Sequence, residues 1–206
     1  MKTILFTLLA SVIIACAPAA APQAVPAARG AIYLPIVGGG QSPLPAPTHT
    51  PDPDATCFHN PKALAFYRLL VGDRRQQRPR LGCHSALVKA AEWRADGLVT
   101  GDPWSHTDAD GVTPNEYARQ AGCKLPAGYA VKGNAIESLT AGTGAVEVAY
   151  WSLTNDQAPD HRRHLLGESD FFRRQPDVGI AYAEGGVLGY YWVIMIATCE
   201  GQSSGE

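Results

Sequence analysis

Residues 178–198 read VGIAYAEGGVLGYYWVIMIAT, and this stretch decides the fold class. Val178 to Ala183 and Tyr190 to Thr198 are two runs rich in β-branched and aromatic residues, the composition of strands. Glu184-Gly185-Gly186 between them is a turn signal, and strands joined so closely pair antiparallel. Upstream of this hairpin the apolar period becomes helical. Asn60 can cap a helix whose first position is Pro61, where the missing N–H costs nothing. Ala63, Phe66 and Leu70 fall on one face, with Leu64, Tyr67 and Val71 beside them, and Gly72-Asp73 ends the run. A second helix is predicted from about Ser85 to Leu98, with Leu87, Ala90, Ala91, Arg94 and Leu98 as its stripe and Gly97 and Gly101 at its exit. Thr113-Pro114-Asn115-Glu116 is a capping box opening a third helix, and Gly122 suits a left-handed stop. An extended segment around Ala135 to Leu139 and a fourth helix from about Ala145 to Thr154 follow. Helices and strands are mixed without strict βαβ alternation. The class is therefore α+β, with helices covering a small, mainly antiparallel sheet.

The chain has 206 residues, 46% of them hydrophobic and 17% charged, a balance that builds a core and excludes global disorder. Seventeen basic and 19 acidic residues give a net charge of −2. Removing residues 1–56 takes away Lys2, Arg29, Asp52 and Asp54 and leaves that balance unchanged, so a broadly basic nucleic-acid surface is excluded. The one long apolar run lies at the start, which excludes a polytopic membrane protein. Lys2 followed by Ile4 to Ala15 has the form of a signal peptide, residues 1–15, too short to span a bilayer. It ends in Ile13-Ile14-Ala15-Cys16, which resembles a bacterial lipobox with Cys16 as the lipidated residue; cleavage near Ala17-Pro18-Ala19-Ala20 is the alternative. Either way the mature chain leaves the cytoplasm, as a surface lipoprotein or a secreted protein. Residues 16–56, rich in Ala and Pro, read as a tether, with Ile32-Tyr33-Leu34-Pro35-Ile36-Val37 as an apolar insert. Residues 57–200 form the domain and 201–206 a flexible tail.

Four cysteines remain in the domain: Cys57, Cys83, Cys123 and Cys199. In an oxidising compartment that number favours two disulfides, and no Cys-x-x-Cys pair suggests a cysteine zinc site. Three pairings are open. Cys57–Cys199 would tie the ends of the domain together, and Cys83–Cys123 would then close an inner loop. Arg74, Arg75, Arg78 and Arg80 read as a solvated loop, and His59 and His84 as surface residues before helices. His161 and His164 are three apart, a weak signal for a shared helical face. Asp108-Ala109-Asp110-Gly111 has calcium-loop features, but counting from His106 the twelfth position is Tyr117 where a bidentate Glu is required; a turn closed by Asp110-Gly111 is the reading. Gly201-Gln202-Ser203-Ser204-Gly205 matches a nucleophile-elbow pattern with no helix after it, and is rejected.

Four stretches in order carry a family resemblance across about residues 60–198. They are Ser105-His106-Thr107 with Asp110 to Pro114 and Gln120-Ala121-Gly122; Glu137-Ser138-Leu139-Thr140-Ala141-Gly142; Trp151 with Asp160-His161-Arg162-Arg163-His164-Leu165-Leu166; and Val178 to Ala181 with Tyr190 to Val193. Together they resemble the CAP superfamily (cysteine-rich secretory proteins, antigen 5 and pathogenesis-related 1; SCP-like), of the bacterial extracellular type. The resemblance implies a three-layer α-β-α sandwich and a cleft of two His and two acidic residues. By position these are His106, His161 and Glu137. The second Glu position is Thr154, and Tyr117 replaces an Arg common in bacterial members; an alternative alignment would put Asn134 at the Glu137 position.

Two imidazoles and a carboxylate suit a divalent metal such as Zn²⁺ better than calcium. His106 is expected just past the second helix, Glu137 at the sheet edge, and His161 on the turn after the fourth helix. The role so implied is a non-enzymatic, surface-tethered module binding a lipid, sterol or protein in that cleft. Its membrane contact would be through the N-terminal lipid alone, with no nucleic-acid partner. The alternative is a metal-assisted, peptidase-like hydrolase with Glu137 as base.

Overall fold

The computed structural model describes residues 56–200. The export signal, Cys16, the tether up to residue 55 and the tail at 201–206 lie outside the described residues. The elements in chain order are α1 (Pro61–Gly72), β1 (Gly82–Cys83), α2 (Ser85–Thr100), α3 (Pro114–Ala121), β2 (Glu137–Ala141), α4 (Val146–Thr154), α5 (Pro159–Leu166), α6 (Asp170–Arg173), β3 (Asp177–Gly185) and β4 (Gly189–Ala197). They form an α+β fold around one four-stranded sheet of order β1-β3-β4-β2. The β3–β4 and β4–β2 pairs are antiparallel, and β1 adds a two-residue parallel pair to β3. Among the described residues no helix is long and apolar enough to cross a membrane.

Local signals set most of these boundaries. The Asn60 side chain accepts from the N–H groups of Lys62 (2.9 Å) and Ala63 (3.4 Å), capping α1. At α3 the Glu116 carboxylate accepts from the Thr113 N–H (3.0 Å) and hydroxyl (2.8 Å), and Gly122 ends the helix at φ 110°. The hairpin turn lies later than the sequence suggests. β3 and β4 stay paired to Gly185–Gly189, so the tip is Gly186-Val187-Leu188 rather than 184–186.

Alternation along the strands separates two apolar clusters. Val178, Ile180, Trp192, Ile194 and Ile196 pack with Phe66, Tyr67 and Leu70 of α1, Leu153 of α4, and Leu165 and Leu166 of α5. Ala181, Tyr191, Val193, Met195 and Ala197 pack with Leu87, Ala90, Ala91, Ala95 and Leu98 of α2 and Ala118 of α3. The first cluster is filled by rings, the second by alanines. The small residues let α2 approach closely: a Cβ on Gly179 of β3 would stand 2.1 Å from the Leu87 carbonyl carbon. Only glycine fits there.

The disulfides correct the pairing that would have joined the domain ends. The bonds are Cys57–Cys83 and Cys123–Cys199, with Cα separations of 6.1 and 5.0 Å. The reason is the sheet between them. Cys57 and Cys83 belong to the first cluster, whereas Cys123 and Cys199 belong to the second, where Lys124 bridges Glu200. Two such bonds fit an extracytoplasmic protein.

Two further expectations are corrected. His84 is buried, and its Nδ1 accepts from the Ala86 N–H (3.3 Å) at the start of α2. Arg78 is buried rather than solvated, donating to the carbonyls of Leu165 (2.7 Å) and His164 (2.6 Å). It thereby adds a donor to the carbonyls at the end of α5, at a desolvation cost that lowers its pKa to about 10.

Candidate functional site

β2 is an edge strand, and its pleat sends Glu137 and Ser138 to opposite faces. Glu137 lies opposite Met195, in the α2-side cluster, and Ser138 lies opposite Ile194, in the α1/α4/α5-side cluster. The two neighbours therefore meet different helices. Asn134 fixes the start of the strand: its Oδ1 accepts from the N–H groups of Ile136 (3.2 Å) and Glu137 (2.8 Å), and its Nδ2 donates to the Glu137 carbonyl (3.1 Å).

On the α2 side, Arg94 is fully buried within the helix stripe. It donates to Asp102 (3.1 Å) and to the carbonyls of Pro103 (3.5 Å) and Ser105, so it holds the chain that presents His106. Its Nε stands 3.8 Å from Glu137 Oε2, and His106 Nδ1 stands 3.6 Å from Glu137 Oε1. The Glu137 side chain has 0% exposure, and neither oxygen has a hydrogen-bond partner. Burial pushes its carboxyl pKa up, against the opposing pull of His106 and Arg94. The loop beyond His106 is a tight turn, as expected. Asp108 Oδ1 accepts from the N–H groups of Asp110 (2.9 Å) and Val112 (2.7 Å), with Gly111 at φ 80°. Tyr117 donates to Asp108 Oδ2 (2.6 Å), so it braces the His106 loop from α3.

On the other side, His161 and His164 both turn Nδ1 to one hydroxyl. Ser138 Oγ lies 3.1 Å from His161 Nδ1 and 2.8 Å from His164 Nδ1. His161 is not on a turn after α4 but in the first turn of α5, and the i, i+3 spacing places His164 on the same side. Burial, followed by the Arg78 charge, lowers the His164 pKa to about 3. Burial also lowers His161, aided by His106.

The halves meet in a pocket of about 150 Å³ lined by residues that include His106, Asn134, Glu137, Ser138, His161 and His164. The rings of His106 and His161 are 6.3 Å apart, centroid to centroid. The structure thus brings together His106, Glu137 and His161. Thr154 is not among the pocket-lining residues: it ends α4, buried, with its hydroxyl donating to the Tyr150 carbonyl (2.9 Å).

The donor set does not fit the expected metal. Among the described residues no group of three His, Cys, Asp or Glu is disposed to hold a metal ion. The Glu137 carboxylate instead faces the fixed cation of Arg94.

Sequence reasoning missed Ser138, His164 and Arg94 as site residues. Arg94 did leave a signal, because a charge on an apolar stripe must find a partner inside. Ser138 left none, since its role depends on which face the pleat gives it.

A larger apolar pocket, about 590 Å³, lies at the hairpin tip between Leu98, Val99, Trp104, Val187, Leu188 and Tyr191. It shares no lining residue with the histidine cleft.

No protein-family model and no curated protein matches the chain. Among solved structures it is similar to an outer surface protein from Borrelia burgdorferi, with 15% sequence identity and a TM-score of 0.50 over 66% of this chain and 91% of that one, a likeness of fold.

Proposed function

We propose that the protein is an exported module of the CAP type, tethered to the cell surface through Cys16, that binds a ligand or partner in the cleft of His106, Glu137 and His161. The observation that carries this reading is Glu137. A carboxylate with 0% exposure and no hydrogen-bond partner on either oxygen lines an open pocket. Leaving such a group unsatisfied costs roughly 1–3 kcal/mol, and more when it is charged. A fold retains that cost at a site where a ligand repays it. The order of the four family-like motifs and the two disulfides support the export and the module type. The fold neighbour is an outer surface protein, which agrees with a surface location.

The test of binding is a screen of small polar and amphiphilic fragments by NMR on isotope-labelled protein. Binders are expected to shift His106, Glu137 and His161 together, and to be lost in Glu137→Gln. A screen whose hits all fall elsewhere refutes the reading. The tether is tested by labelled fatty acid in a bacterial host: wild type should take up label and Cys16→Ser should not.

A further inference from the structure

We infer that the cleft is an acceptor site whose polarity Ser138 sets, so that it takes a ligand through a hydrogen-bond donor group, hydroxyl or ammonium, placed between Glu137 and His161. This rests on the binding role proposed above and names the chemistry of its ligand.

One proton decides the polarity. Ser138 Oγ lies within hydrogen-bond distance of two Nδ1 atoms, yet a hydroxyl has a single hydrogen. It can donate to one ring only, and where it accepts from the other the two histidines hold opposite tautomers. Bond lengths decide which is which. Hydroxyl donors make the shorter hydrogen bonds, about 2.7–2.8 Å, and N–H donors the longer ones, about 2.9–3.0 Å. The 2.8 Å contact is therefore Ser138 donating to His164, and the 3.1 Å contact is His161 Nδ1–H donating to Ser138. The pKa of about 3 at His164 agrees, because that ring stays neutral and keeps Nδ1 free to accept.

The consequence reaches the pocket. With its proton on Nδ1, neutral His161 carries a lone pair on Nε2, which has no protein partner among the described residues. The same pocket is lined by Glu137, whose two oxygens have no hydrogen-bond partner. Between Glu137 and His161 the polar atoms offered to a ligand are acceptors, while His106 Nδ1 and the Nε2–H of His164 also line the pocket without partners. A pocket of about 150 Å³ has room for a few heavy atoms, enough for the polar end of a ligand and not for its whole body. Ser138 is a positioning residue: it touches no ligand in this arrangement and acts through His161.

The experiment is long-range ¹H–¹⁵N NMR of the histidine rings in the full chain, near pH 8, above the ordinary histidine range of about 6.5. The expected result is Nδ1–H on His161 and Nε2–H on His164. Nε2–H on His161 in wild type overturns the inference while leaving ligand binding intact. Ser138→Ala should release the His161 tautomer and Ser138→Thr should keep it; an unchanged tautomer in Ser138→Ala removes Ser138 from the role. Ethylammonium, ethanol and acetate are then titrated as probes. Either donor probe should shift His161 Nε2, and which one does so separates a charged donor from a neutral one. Its affinity should fall about tenfold in Ser138→Ala, the loss of about one oriented hydrogen bond. A shift with acetate overturns the inference. The expected tautomers with no response to any probe would instead refute the binding role itself, and the inference with it.

Discussion

Glu137 and Ser138 are adjacent in sequence, yet they lead opposite lives. Glu137 faces an alanine-lined side of the sheet, where α2 lies close and a buried carboxylate is left without a hydrogen bond. Ser138 faces the ring-filled side, where its hydroxyl serves two histidines at once. One half of the cleft is charged and unsatisfied; the other is neutral and internally paired. The difference teaches a division of labour. Unsatisfied groups supply attraction for a ligand, and satisfied networks supply orientation.

The two faces can be broken separately, and the largest effects should come from their disulfides. Cys123–Cys199, behind Glu137, has a sequence separation of 76, and Cys57–Cys83, on the Ser138 side, one of 26. On the chain-entropy model, removal costs about 4.5 and about 3.5 kcal/mol respectively. Urea unfolding of the paired Cys→Ala variants measures both, and the reverse order would show that the α1 face is the more dependent on its staple.

Acid comes next, and it acts on the Ser138 side. The folded pKa of His164 is lowered to about 3, below its unfolded value of about 6.5, so the unfolded chain binds the extra proton first. Its contribution to stability is fully present above about pH 6.5 and is lost as pH falls toward 3, on the order of 5 kcal/mol in all. His161, also lowered, adds loss of the same sign. Stability against pH in wild type and His164→Gln should show the steeper acid decline in wild type; parallel curves would mean that His164 is not the titrating group.

Ser138→Ala removes the shared hydroxyl and strands two ring nitrogens, at an expected cost of about 2 kcal/mol in urea unfolding, most of it recovered by Ser138→Thr. A change below a few tenths of a kcal/mol would place the histidine pair outside the hydrogen-bonded core. The smallest effect sharpens the contrast. Burial raises the Glu137 pKa, so the folded chain holds that proton more tightly than the unfolded chain, and stability declines as pH rises above the ordinary carboxylate range. That slope has the opposite sign to the histidine arm. It should flatten in Glu137→Gln, and a slope unchanged by the substitution would assign it elsewhere.

What could be read in the sequence follows from how local each signal is. Asn60-Pro61, Thr113 to Glu116 and the 178–198 hairpin were legible because the residues that make each element sit within it. α5 was not, because PDHRRHLL buries only its last three residues and so shows no stripe. The two-residue β1 is shorter than any period. His106, Glu137 and His161 were found through motif order. Their connection through Arg94 and Ser138 was not, since it depends on which side of a sheet each residue faces. The disulfides failed for the same reason: a line of sequence has two ends, whereas the sheet has two sides.

The position of Glu137 bears on how the molecule keeps to itself. β2 is five residues long and forms one border of the sheet; β1, at the other border, has two. Exposed strand borders are templates on which a second chain can add a strand. Here the longer border begins with a carboxylate turned inward, and the shorter is tied by Cys57–Cys83 to the segment that leads into α1. An inward-pointing charged residue is one of the devices by which a sheet edge resists such pairing. The group that makes the cleft receptive to a small donor thus makes the same border a poor seed for aggregation.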